Sequence, residues 1–238
     1  MTNAEDINRV VVYGQKKRGI THQICINGHF HLMKEVTRVD EADMTSARLI
    51  AKSIDLNQMD SEETTPICFA FRGNSFDIVE YLLTNNLVDL NISSPKYGCP
   101  LHLCILKHKF KLALEVLKGG AKVNVHSLNP NGSNCMHILF ANFSFGEGTD
   151  SERLANSLIS HGIDMNLVDN NGLSPIHVAI KKNQLEALKY ASKFNKTAPV
   201  NRCFSFGVQG KKGFTPLHYS IIKSNYDAFL YLLSDEED

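Results

Sequence analysis

GFTPLHYSII, residues 213–222, sets a proline and a histidine almost side by side where the chain is about to enter a helix. Histidine is the commonest acid–base side chain near neutral pH, so a catalytic constellation is one reading. The upstream sequence decides against it. GLSPIHVAI at 172–180 and GCPLHLCI at 98–105 repeat the pattern, and GSNCMHILF at 132–140 and TTPICFAF at 64–71 are weaker copies. A catalytic constellation is needed once, whereas this one occurs five times. The stretch is a structural repeat.

Its period can be measured. The proline position falls at Pro66, Pro100, Cys135, Pro175 and Pro216, in steps of 34, 35, 40 and 41 residues. A second marker follows in phase: Asp89-Leu90-Asn91, Lys122-Val123-Asn124, Asp164-Met165-Asn166 and Pro199-Val200-Asn201. A further copy, ITHQICINGHFHLMKEV at 20–36, puts His22 at the histidine position and closes on Asp55-Leu56-Asn57. With a period near 33 and a T-P-L-H core, the chain resembles the ankyrin-repeat family from about Gly19 onward. The resemblance implies an all-α ankyrin-repeat solenoid of about six stacked helix–turn–helix units with short inter-repeat hairpins. The markers divide it into units at 19–57, 58–91, 92–124, 125–166, 167–201 and 202–234, with a lead-in at 1–18 and an acidic tail at 235–238.

Local chemistry explains the unit. Threonine can cap orphan N–H groups at a helix start, and the proline after it needs no donor there. The histidine can bond across the turn and to the next unit. Apolar runs such as Ile78-Val79, Tyr81-Leu82-Leu83 and residues 229–233 give the second helices a face that only a stacked neighbour can bury.

Composition narrows the setting. Apolar residues make up 43% of the chain, too many for disorder, and the formal net charge is zero, so global electrostatics name no partner. No stretch approaches the roughly 18 apolar residues of a membrane span, and the N-terminus lacks a signal-peptide core. An intracellular, cytoplasmic setting is predicted, with the nucleus open. Cys25, Cys68, Cys99, Cys104, Cys135 and Cys203 contain no CxxC pair and read as free thiols, mostly buried.

The sharper chemical candidates fall away. His22, His102, His137, His177 and His218 occupy the repeat's own histidine position. His29 and His31 sit two apart beside the interhelical glycine, and a zinc site would need further ligands. Cys203 has no histidine or aspartate tied to it by sequence. Phosphate-loop, dinucleotide and nucleophile-elbow motifs are missing. A non-enzymatic chain is expected, without cofactor, metal or small-molecule substrate.

Departures from the repeat carry more information. Cys135 to Asn166 spans 31 residues where Pro100 to Asn124 spans 24, so about seven residues, within FSFGEGTD at 143–150, are inserted between two helices. Asn201 to Pro216 spans 15 where Asn91 to Pro100 spans 9, and the excess lies in RCFSFGVQGKK at 202–212. Charge is uneven as well: net −7 over 40–89, +5 over 96–126 and +7 over 181–212. The ankyrin phasing implies that Asn27, Arg72, Lys107, Asn142, Lys181, Lys182 and Lys223 face the concave groove, which is then basic over its C-terminal half. The function expected is that of an interaction scaffold or adaptor binding a protein partner by its groove and hairpin tips. Phe204 and Phe206 are the aromatic anchor, while Arg202, Lys107, Lys181, Lys182, Lys211, Lys212 and Lys223 steer an acidic partner segment. The alternative is a basic groove for nucleic acid or anionic lipid head groups, without a stacking platform to favour it. The resemblance also implies asparaginyl hydroxylation where leucine precedes the marker asparagine by eight residues, as at Asn57, Asn91 and Asn166.

Overall fold

The computed structural model describes residues 11–13, 16–37, 54–118, 123–142, 148–194 and 214–234. Among them are twelve helices in six antiparallel pairs. The pairs are α1 (Ile20–Asn27) with α2 (Phe30–Thr37), α3 (Pro66–Arg72) with α4 (Phe76–Thr84), and α5 (Pro100–Leu106) with α6 (Phe110–Lys118). They continue as α7 (Cys135–Asn142) with α8 (Asp150–Ser160), α9 (Pro175–Lys181) with α10 (Leu185–Phe194), and α11 (Pro216–Ile222) with α12 (Tyr226–Ser234). The inserted octapeptide does separate α7 from α8, and residues 143–147 of it lie outside the described residues.

Four first helices start on a proline, and the residue before each is extended, with ψ between 158° and 168°. Clash with the proline ring enforces that conformation and so ends the preceding hairpin. Where Cys135 replaces proline, Asn134 holds the start instead. Its Oδ1 accepts from the backbone of Met136 at 3.1 Å and His137 at 3.2 Å. The expected threonine capping is seen at Thr215, which accepts from His218 N. Thr65 and Ser174 make no backbone cap. Their hydroxyls meet the third helical side chain: Thr65 Oγ1 the Cys68 thiol at 3.3 Å, and Ser174 Oγ the His177 Nδ1 at 2.8 Å.

Each tight turn into a second helix needs a left-handed residue. Gly28 supplies it at φ 68°, and Asn74, His108, Asn183 and Ser224 do so at φ 51–59°. Asparagine tolerates this region; histidine and serine enter it at a cost.

The first helices stack in one file, α1 to α3 to α5 to α7 to α9 to α11. Second helices pack beside them, α2 on α4, α4 on α6, α6 on α8 and α10 on α12. Phe71, Ile105, Leu139, Phe140, Leu154 and Leu158 are fully buried along this one continuous core. Each such side chain contributes about 1.5–3 kcal/mol by leaving water, and an isolated pair would forfeit most of it. The last described unit shows the converse: Ile222, Leu230 and Leu233 are exposed because no described unit covers them.

One element goes beyond the expected helices. Within the anticipated lead-in, β1 (Val11–Tyr13) pairs antiparallel with β2 (Lys16–Arg18), Val11 opposite Arg18. The β-branched Val11-Val12 pair favours strand. Arg18 then ties the hairpin to the second unit, its Nε 3.3 Å from the buried Asp60 Oδ2 and its guanidinium 4.5 Å above the Phe69 ring.

The concave groove as candidate site

The groove is bounded by the hairpin tips and the C-terminal ends of the first helices, and both are placed by backbone chemistry. Each tip is wound around one polar side chain. Asp60 Oδ1 accepts from Glu62 N and Thr64 N, Asn129 Oδ1 from Asn131 N and Ser133 N, and Asp169 Oδ1 from Asn171 N and Leu173 N, all at 2.8–3.0 Å. The tip of the third unit is looser, because Ser94 Oγ accepts from Lys96 N alone, at 3.4 Å.

The motif histidines join one tip to the next. Nδ1 accepts the backbone N–H of Gly19 in the case of His22, and of Asn134 in the case of His137, each at 3.2 Å. The proton therefore sits on Nε2, which donates across the seam. His22 reaches the Thr64 carbonyl at 3.0 Å, His137 that of Leu173 at 2.9 Å, and His177 that of Phe214 at 3.0 Å. Burial pushes all three below the ordinary histidine range, so they stay neutral.

Two positions break the series. Cys68 holds the histidine position of the second unit. His102 keeps its Nδ1 bond to Cys99 N at 3.2 Å, but its buried Nε2 has no hydrogen-bond partner. Burial drives the His102 imidazole down to about 4, and the Ser127 carbonyl opposes this by favouring the proton without meeting hydrogen-bond geometry. His218 lies in the last described unit, so the inter-unit link expected of it is not formed among the described residues.

Over the fourth unit, between the third and the fifth, the groove opens into a trough of about 400 Å³. The third unit contributes Lys96, Tyr97, His102 and Leu106, and Leu106 is 49% exposed. The fourth contributes Asn131, Ile138 and Asn142; the fifth Val178, Lys181 and Lys182. Asp169 also lines it, but its Oδ1 is occupied by the two tip amides. Lys181 and Lys182 are exposed at the end of α9. Among the described residues, Lys96, Lys181 and Lys182 have no carboxylate partner.

The groove residues named from the sequence thus separate. Lys181 and Lys182 line the trough. Lys107 is committed to the scaffold, with Nζ 2.9 Å from Asn74 Oδ1 on the preceding unit. Lys223 stands on the last first helix, 5.5 Å from the Tyr219 ring centre. Phe204, Phe206, Arg202, Lys211 and Lys212 lie outside the described residues. Asn57, Asn91 and Asn166 stand at the hairpin bases, Asn91 and Asn166 exposed and Asn57 half-buried. Sequence reasoning missed Lys96, Tyr97 and Leu106. Lys96-Tyr97 at the turn before Gly98 was the available signal, an aromatic and a cation at a hairpin tip.

The family model described as ankyrin repeats (3 copies) matches residues 21–127 and 144–238. The chain belongs to the ankyrin-repeat family. Ankyrin repeats generally mediate protein–protein interaction and are typically non-enzymatic. The chain is 27% identical to the nuclear factor NF-kappa-B p105 subunit of Gallus gallus, over 64% of its own length and 14% of the relative. It is 28% identical to palmitoyltransferase AKR1 of Lachancea kluyveri, over 66% of the chain and 21% of that protein. With an ankyrin repeat protein of Fowlpox virus it shares 26% identity over 69% of the chain and 46% of the relative. The chain spans less than half the length of each of these relatives. Ankyrin units thus account for the six described helix pairs, and none of their helices is long and apolar enough to cross a membrane.

Proposed function

We propose that this ankyrin chain is a non-enzymatic scaffold that docks a protein partner in its concave groove. The observation that carries the reading is the trough that runs from the third to the fifth unit. There an aliphatic side chain left half in water, Leu106, shares a lining with lysines that form no ion pair among the described residues. Interfaces with an apolar centre and a charged surround have this composition. Phe204, Phe206, Arg202, Lys211 and Lys212, which lie outside the described residues, are proposed as further contacts, together with Lys107 and Lys223.

Leu106→Arg puts a charge on the trough without touching the buried core, so the fold should melt unchanged while a partner captured from the native source is released. Retained capture by Leu106→Arg would remove the groove from the reading. Phe204→Ala with Phe206→Ala should weaken partner binding by about 2 kcal/mol, the scale of aromatic hot spots.

A further inference from the structure

We propose that the trough seats an extended acidic peptide segment of a protein partner, its carboxylates meeting Lys96, Lys181 and Lys182 and an acceptor of the peptide taking the unused His102 Nε2–H. The assignment rests on the groove reading above and specifies what fills it. Three observations converge. His102 is 1% exposed, lines the trough and carries a buried donor that makes no hydrogen bond among the described residues. A buried polar group without a partner is costly, and the corresponding donors of His22, His137 and His177 all find a carbonyl. The ligand therefore supplies an acceptor.

The lysines set its charge. Three ammonium groups from the third and fifth units stand around the fourth, and Asp169, the acid in the lining, is already engaged by backbone amides. Desolvating these cations against a neutral or basic segment would be unfavourable, while carboxylates recover that cost. Apolar positions at Leu106, Ile138 and Val178 set the remainder: a segment mixing acidic and aliphatic residues.

The seam beneath is also the one best able to admit a ligand group. Neither recurring polar link crosses it, since His102 Nε2 is unpaired and Asn124 Oδ1 accepts from His126 N within its own turn. Small separation of the third and fourth tips breaks neither of those links. It brings Nε2, now without solvent contact, within reach of an acceptor.

The test uses a fluorescein-labelled decapeptide of alternating glutamate and leucine against its glutamine-for-glutamate counterpart, with the whole chain. The acidic peptide should bind about tenfold or more tightly, a preference of about 1.4 kcal/mol. It should weaken with salt. Lys96→Ser, Lys181→Ser and Lys182→Ser together should erase the preference, and Lys34→Ser, on α2 away from the groove, should leave it. The His102 ring resonances should shift on binding while those of His177 stay. Equal binding of the two peptides, a preference surviving in the triple variant, or an unmoved His102 ring would overturn the assignment. So would tighter binding of a labelled single-stranded oligonucleotide than of the peptide. If Leu106→Arg abolishes capture of the native partner while the acid preference is absent, the groove reading stands and this assignment alone falls.

Discussion

Two neighbouring seams of the same solenoid are built differently. Between the fourth and fifth units, His137 donates to the Leu173 carbonyl, Asn170 N and Nδ2 donate to the Asn131 and Pro130 carbonyls, and the Tyr190 hydroxyl donates to Asn156 Oδ1. The edge of Tyr190 also meets the Phe140 ring, with centroids 6.3 Å apart. Between the third and fourth units, neither the histidine nor the marker asparagine bridges. Apolar packing there must serve, where α5 meets α7 and α6 meets α8 within the continuous core. Apolar packing holds a seam together without fixing its geometry; directional bonds do both. The trough spans both seams, from Lys96 on the third unit to Lys182 on the fifth.

Acid should separate the two seams most. Burial lowers His22, His102, His137 and His177, so all are neutral in the fold and become protonated in the unfolded chain below about 6.5. The unfolded state then binds more protons. Stability is full above that value and falls as pH drops from about 6.5 towards 4. His102 alone, at about 4, accounts for on the order of 3 kcal/mol of the loss. Burial also lowers His22, His137 and His177, against the carbonyls they reach, which favour their protons. Urea unfolding at stepped pH should show this fall, and His102→Gln should flatten it more than His137→Gln. A flat profile for the native chain would break the comparison.

At neutral pH the order reverses. His137→Ala orphans the Asn134 amide and deletes the donor to Leu173, costing about 2–4 kcal/mol. His102→Ala removes no inter-unit bond and should cost at least about 1 kcal/mol less. Equal costs by denaturant titration would mean that packing, rather than the cross-seam bond, is what His137 contributes.

How far these differences could be read beforehand depends on where their causes lie. The helix starts, the second-helix faces and the position of the insertion were legible because Thr-Pro, the apolar spacing and the marker asparagine act within one unit. His102 was not, because GCPLHLCI at 98–105 looks like its sister copies. Whether its Nε2 finds a carbonyl depends on the next tip, NPNGS at 129–133, and no local motif reports that. The trough was half legible: Lys181 and Lys182 follow from helix phasing, but Lys96 and Leu106 enter through the fold of the Ser94 tip and the outward face of α5. The β1–β2 hairpin escaped because Arg18 finds Asp60 only after the chain has come round by 42 residues.

Thiols sharpen the contrast kinetically. Cys68 lies in the second unit, while Cys104 and Cys135 face the seam between the third and fourth. Burial raises all three thiols, so alkylation reads opening rather than intrinsic reactivity. Stability in a repeat array is close to a sum of unit and seam terms, and the weakest seam opens first. Cys104 and Cys135 should be alkylated severalfold faster than Cys68 in native buffer, as mapped by peptide mass spectrometry. Slower labelling of the two would place the weak seam elsewhere.

The smallest effect concerns the marker asparagines, which divide along the same line. Asn57 Oδ1 accepts from Asp89 N at 2.8 Å and Asn91 Oδ1 from Asn124 N at 2.7 Å, a ladder that among the described residues joins the first three units. Asn166 receives its turn bond from Asp164, its own N–H donating to Oδ1 at 2.7 Å, and its side chain holds no neighbouring hairpin among the described residues. Asn91→Ala should therefore cost about 1 kcal/mol, and Asn166→Ala less, as read from thermal melts. The same distinction orders the proposed hydroxylation of Asn57, Asn91 and Asn166. A hydroxylase must draw the asparagine out of its turn. Asn166 is exposed and makes no ladder bond among the described residues, although the leucine eight residues before it, Leu158, is fully buried. In protein from the native source, an added oxygen is expected at Asn166 ahead of Asn57 and Asn91. Modification of Asn57 or Asn91 with Asn166 untouched would show that the ladder does not govern access, and unmodified asparagine at all three would remove the hydroxylation proposal.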